Sequence, residues 1–202
     1  MYSNFELKNC NWLNKPNKVL FQGTSESECT IFPESKSDFW KRTYYDPELI
    51  HDNGHFLYTT IPNNENVTIE SKVIINPKNQ FDHGGLMIRL DSENWIKFGL
   101  EIVDLKPKIG AVVTKNGYSD WSTQNWNNCE YNIRLHKIAN SCVCEVENEK
   151  DNWEFIRISH LDISSYKEYQ IGIFACCPTE SGAEVKFINV NLKECKGIDH
   201  KA

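Results

Sequence analysis

Apolar and polar residues alternate with a period of two along most of the chain, and apolar residues at helical spacing are scarce. Side chains along a strand point to opposite faces in turn, so this alternation marks strands buried on one face. It predicts strands over 55–61, 67–75, 85–90, 95–103, 109–115, 132–138, 141–147, 153–159, 169–177 and 185–192. The polar segments 91–94, 104–108 and 148–152 read as turns between them. Before Trp40 the pattern weakens, but Trp12, Leu13, Val19, Leu20 and Phe21 suggest an edge strand joining the same core. Many short strands separated by polar turns predict a sandwich or jelly roll. No internal repeat or linker interrupts the 202 residues, so residues 1–202 are expected to form a single β-sandwich domain.

One hairpin carries the most chemistry. Leu86, Ile88 and Leu90, with Ile96, Phe98, Leu100 and Ile102, form its apolar face. The opposite face carries Met87 and Arg89, then Trp95, Lys97, Gly99 and Glu101, and such a face is ordinarily left to solvent. A short loop would set Arg89 opposite Lys97, a like-charge pair that costs up to about 1 kcal/mol. An anion is therefore expected between or beside them. Glu101, Glu70 or Asp82 could supply it, and so could a carboxylate, sulfate or phosphate on a ligand, which arginine can grip with two donors. A solvated salt-bridge cluster satisfies the same pattern.

Tyr118-Ser119-Asp120-Trp121-Ser122 gathers two aromatics and an acid beyond the strand at 109–115, a grouping suited to the apolar face of a sugar ring. Candidate ligand-binding residues are therefore Arg89, Trp95, Lys97, Glu101, Tyr118, Asp120 and Trp121. Gly84-Gly85 marks a bulge or a close backbone approach, because no phosphate-loop spacing surrounds it. His55 and His83 stand alone in sequence. Glu145, Glu147 and Glu149 alternate toward a turn and read as a solvated edge. No HExxH or GxSxG occurs, no catalytic residue is assigned, and a glycosidase would need a pair of carboxyl groups that no single strand supplies.

Charge and cysteine usage narrow the partners. Twenty-two basic against 28 acidic residues leave a net charge of −6, which argues against nucleic acid. No run of 18 apolar residues suggests a membrane span, and the first residues lack the pattern of a secretory signal, so a cytoplasmic protein is expected. The eight cysteines include a CxC (Cys142, Cys144) and a CC (Cys176, Cys177), neither with zinc-site spacing. They read as reduced thiols, with Cys142 and Cys144 pointing into the core. No metal or other cofactor is assigned.

Several blocks resemble a known family. They are Asp52-Asn53-Gly54-His55-Phe56-Leu57-Tyr58 after Asp38-Phe39-Trp40; Asp82 to Asp91 with Asn94-Trp95-Ile96-Lys97 and Glu101; Val112 to Lys115 with Tyr118 to Ser122; and Cys176-Cys177-Pro178 running on to Val185-Lys186-Phe187. Trp12-Leu13-Asn14-Lys15-Pro16 is similar to its first strand entry. The resemblance, over nearly the whole chain, is to a concanavalin A-like family of unknown function whose members are often labelled regulation of enolase protein. His83-Gly84 departs from it, standing where Gln-Ala is expected.

The resemblance implies an all-β, concanavalin A-like lectin/glucanase jelly-roll sandwich of two antiparallel sheets, with a concave face. It implies no reaction. The expected function is a non-catalytic binding module holding a saccharide, a sugar phosphate or another small anionic metabolite on that face. Arg89 and Lys97 would take anionic or hydroxyl groups, Glu101 would accept from hydroxyls, and Trp95 or Trp121 would stack. A protein-interaction regulator of a glycolytic enzyme such as enolase is the alternative, and a glycoside hydrolase the third reading.

Overall fold

The computed structural model describes residues 5–23 and 27–198. A 3-10 turn (Leu7–Asn9) precedes sixteen strands among these residues. They are β1 (Asn11–Leu13), β2 (Lys18–Gln22), β3 (Glu28–Phe32), β4 (Phe39–Arg42), β5 (Leu49–Asp52), β6 (His55–Pro62), β7 (Val67–Asn76) and β8 (His83–Arg89). There follow β9 (Trp95–Val103), β10 (Lys106–Lys115), β11 (Tyr118–Asn125), β12 (Glu130–Ile138), β13 (Ser141–Glu149), β14 (Asn152–His160), β15 (Glu168–Cys176) and β16 (Glu184–Glu194). Two seven-stranded antiparallel sheets form a jelly-roll sandwich, in the orders β1-β6-β15-β8-β9-β10-β11 and β14-β13-β12-β7-β16-β3-β2. A separate two-stranded ribbon, β4-β5, lies outside them. No helix among the described residues is long and apolar enough to cross a membrane.

The alternation seen in the sequence is the core. Leu86, Ile88, Ile96, Phe98 and Leu100 of the first sheet join Val67, Ile69, Ile133, Leu135 and Phe187 of the second in one fully buried cluster. Tyr131 bridges the layers. Its hydroxyl accepts from the Leu100 amide (3.1 Å) and donates to the Gly84 carbonyl (2.8 Å). Cys142 and Cys144 point into this core, and all eight cysteines are free thiols.

Three details differ from the sequence expectation. The N-terminal apolar residues make two edge strands, β1 on one sheet and β2 on the other. The turn expected over 104–108 is only Asp104-Leu105, both with positive φ (52° and 62°), so β10 begins at Lys106. A two-residue turn of that handedness matches the twist of the flanking strands, which lets Pro107 stay within the ladder region. The segment 118–122 is part of a full edge strand, β11, whose polar residues hide its alternation.

Gly84 and Gly85 do mark a close backbone approach. Gly85 lies opposite Gly99, and Gly99 opposite Gly110. A Cβ on Gly99 would sit 2.0 Å from the Gly84 carbonyl oxygen, and one on Gly85 would sit 2.1 Å from that of Phe98. These neighbours are backbone and cannot swing aside. Gly99→Ala is therefore expected to destabilise the fold by about 1–3 kcal/mol, the usual cost of overpacking, read as a lower urea midpoint; an unchanged midpoint would show that the strands can separate there.

Candidate functional site

The outer face of the first sheet is not left to solvent. The β4-β5 ribbon lies across it, and the acids that bracket the ribbon hold it down. Asp38, just before β4, pairs with Lys97 (2.9 Å), and Asp52, the last residue of β5, takes both guanidinium nitrogens of Arg89 (2.8 Å each). Toward the ribbon's tip, Arg42 bonds Glu93 (2.8 Å) and the Gly117 carbonyl (2.9 Å), and the Lys41 amide donates to Ser119 Oγ (2.9 Å). Beneath the ribbon Phe39, Phe56, Met87, Trp95, Val112, Phe174 and Cys176 form a second, smaller apolar cluster. Phe39 meets Trp95 edge to face, ring centres 6.2 Å apart.

Between the ribbon and β9-β11 lies a cleft of about 220 Å³. Trp40, Tyr45, Leu49 and His51 of the ribbon wall one side, Trp121 and Val112 the other, and Asp38, Lys97 and Glu101 lie at its floor. Phe81 and the Pro178-Thr179 segment close one end. Beyond Glu101 the cleft runs into a groove over Gly99 and Gly110, bounded by Lys108, Trp121 and Thr123.

The floor is a charge network. Lys97 donates to Asp38 Oδ1 and to His83 Nε2 (both 2.9 Å), while His83 Nδ1 donates to the Phe81 carbonyl (2.7 Å). This fixes the neutral tautomer of His83. Burial, followed by the adjacent Lys97 charge, pushes its pKa down to about 4. Burial works against the ionised forms of Asp38 and Lys97 too. Their mutual attraction outweighs it, so Asp38 is held below and Lys97 above the ordinary range. Glu101 has no such partner, and among the described residues its carboxyl makes no hydrogen bond. Burial raises its pKa to about 8, with Lys97 opposing and Asp38 reinforcing the shift. Near neutral pH it is a carboxylic acid, able to donate as well as accept. Every side-chain contact of Asp38 runs to Oδ1, so Oδ2 is unpartnered among the described residues.

Asp38, His83 and Cys176 bring ligand atoms within 4.8 Å of one another, a cluster invisible in the sequence. The Lys97 ammonium already bonds two of the three, so it supplies the positive charge that a metal would bring, and the Cys176 thiol is held protonated by burial. These residues fit a lysine-centred network better than a metal site.

The structure separates the seven candidate residues. Lys97, Glu101 and Trp121 line the cleft. Arg89 and Lys97 do share a face, but Arg89 stands opposite Trp95, and Lys97 opposite Met87. Neither cation awaits an anion: the ribbon supplies Asp52 to one and Asp38 to the other. Arg89 is buried and paired with Asp52. Trp95, expected to stack on a ligand, is completely buried under Phe39. Tyr118 and Asp120 are exposed and lie on the opposite side of β11 from Trp121, where Asp120 pairs with Arg157 (3.0 Å). Glu145 is likewise no solvated edge; it is buried against Arg134 and His136. Asp38, Trp40, Tyr45, His51 and Asp52 were missed. Their signal was four aromatics, Phe39, Trp40, Tyr44 and Tyr45, within seven residues that an acid precedes.

Comparison with known proteins places this chain in a family. The chain belongs to a family described as protein of unknown function (DUF1349), whose model matches residues 12–195. One relative, "Regulation of enolase protein 1" of Saccharomyces cerevisiae (strain ATCC 204508 / S288c), is 32% identical over 191 residues, covering 94% of this chain and 91% of that protein. A crystal structure described as a functionally unknown protein from Saccharomyces cerevisiae superposes with a TM-score of 0.85 at 31% identity, over 96% of this chain and all of that one. The carbohydrate-binding module CBM66 from Bacillus subtilis shares the fold alone (TM-score 0.56, 13% identity, 92% and 98% coverage).

Two outcomes follow. Asp52→Asn leaves Arg89 buried without a counter-charge and is expected to cost about 2–3 kcal/mol, below the usual penalty for breaking a buried pair because Asp52 is partly exposed; a urea midpoint equal to wild type would remove the pair from its anchoring role. Glu101 has a folded-state pKa above its unfolded value, so its contribution to stability is complete below about pH 4.5 and is lost as pH rises to about 8. Glu101→Gln should therefore gain stability relative to wild type between pH 5 and 8, and parallel pH profiles of the two proteins would refute the shift.

Proposed function

We propose that this protein is a non-catalytic binding module that holds a saccharide in the cleft between the β4-β5 ribbon and β9-β11. One observation carries this reading: an aromatic-walled cleft whose floor presents two carboxyl groups, Asp38 Oδ2 and Glu101, without partners among the described residues. A sugar ring has apolar C–H faces that stack on aromatic side chains and a rim of hydroxyls that need donors and acceptors. Trp40, Tyr45 and Trp121 provide the first. Asp38 Oδ2 accepts, and the neutral Glu101 carboxyl both donates and accepts. The shared fold of a carbohydrate-binding module is consistent with this but lends fold-level support only.

A second reading rests on the printed name of the yeast relative, which ties that protein to the regulation of enolase. It predicts a stable complex between this chain and enolase, and sedimentation of a micromolar mixture as two separate species would exclude it.

For the first reading, Trp121 is the informative position, because it is 38% exposed and its loss should leave the fold intact. In a thermal-shift screen of mono- and oligosaccharides, at least one sugar should raise the wild-type midpoint, since a ligand of the native state stabilises it by mass action. Trp121→Ala should keep the unliganded midpoint and weaken that sugar's binding at least tenfold. A hit equally strong in the variant would move binding away from this cleft.

A further inference from the structure

The chemistry of the floor narrows the ligand further, on the premise that the cleft is a saccharide site. We infer that the cleft selects an uncharged sugar ring and rejects the phosphorylated and carboxylated forms of the same sugar. The seemingly basic composition of this face, with Arg89 and Lys97, would suggest the opposite. Both cations are committed within the protein, Arg89 to Asp52 with two hydrogen bonds and Lys97 to Asp38 and His83. Neither can turn to a ligand anion without leaving a partly buried carboxylate unpaired.

The groups at the cleft floor that remain for the ligand carry no positive charge. Asp38 is ionised, and its Oδ2 has no partner among the described residues. Glu101 is faced by Lys97 on its own strand, His83 on β8, Lys108 on β10, Cys176 on β15, and Asp38, Tyr45 and His51 from the ribbon side. Of these cations, Lys97 is neutralised by Asp38, and Lys108 lies in the outer groove, where its ammonium bonds Asn125. A phosphate or carboxylate entering the cleft would meet the Asp38 charge and a carboxyl that burial already resists ionising, in surroundings where like charges are poorly screened. A neutral hydroxyl meets two acceptors and one donor instead. At about 220 Å³ the cleft is smaller than the roughly 300–1,000 Å³ of pockets for drug-sized ligands, which suits a single ring.

The test is a calorimetric titration of the full chain with neutral hexoses and pentoses, each paired with its terminal phosphate and its uronic acid. A neutral sugar should bind, with both charged counterparts weaker at least tenfold. Asp38→Asn, which is nearly isosteric and releases the Lys97 charge, should reverse the order and give the sugar phosphate the tighter binding. Should that variant fail to fold, Glu101→Gln serves independently: it should keep neutral-sugar binding at pH 9, where wild type loses affinity as Glu101 ionises, and should still reject the phosphate. A sugar phosphate that binds wild type as well as or better than the neutral sugar overturns this selectivity while leaving the cleft as a saccharide site, most directly if Lys108→Met abolishes that binding. Absence of binding by every sugar, charged or neutral, overturns the saccharide reading and the selectivity together.

Discussion

The geometry of the covered face of the first sheet depends on two ion pairs that tie a hairpin to it. Asp38 and Asp52 flank the β4-β5 ribbon in sequence and meet Lys97 and Arg89 on adjacent strands of the sheet below. Without them the ribbon would keep a small apolar cluster and the contacts of Lys41 and Arg42 near its tip, and a two-stranded ribbon is at best marginally stable alone. With them, Trp40, Tyr45 and His51 are suspended opposite Trp121, and a sheet face becomes a cleft. The anchoring also settles the electrostatics, because the charges that look available for a ligand are the ones holding the ribbon.

The network at the floor divides two carboxyl groups by environment. Asp38 sits against a buried ammonium and stays ionised; Glu101, four residues along β9 from Lys97, lacks a hydrogen-bond partner among the described residues and keeps its proton near neutral pH. The same lysine sits where a metal would have to lie among Asp38, His83 and Cys176. One buried cation, Lys97, thus anchors one end of the ribbon, fixes the histidine tautomer and leaves Glu101 as an uncharged donor facing the cleft.

Much of the fold was legible in advance because burial on one face imposes a two-residue period wherever a strand covers a core. Leu86, Ile88, Ile96, Phe98 and Leu100 obey it and lie in the core. The period also assigned Met87, Arg89, Trp95, Lys97 and Glu101 to one common face. It could not say what lies over that face. Trp95 reads the same whether it awaits a ligand or supports Phe39, and β11 escaped notice because an edge strand with polar residues on both sides carries little alternation. The ribbon residues were missed for a related reason: four-residue strands in a segment of aromatics and charges show no period long enough to detect.

The amino-acid sequence by itself determined the sandwich, the core residues and which polar and aromatic residues share the opposite face, because these follow from local alternation, turn residues and composition. Only the tertiary structure decided which of those residues remain free. Pairing Asp52 with Arg89 joins positions 37 residues apart, and pairing Asp38 with Lys97 joins positions 59 apart. No local pattern records which distant charge satisfies which. Long-range ion pairing turned two expected ligand contacts into anchors and buried a third under the ribbon, and it left Glu101 and Trp121 facing the cleft.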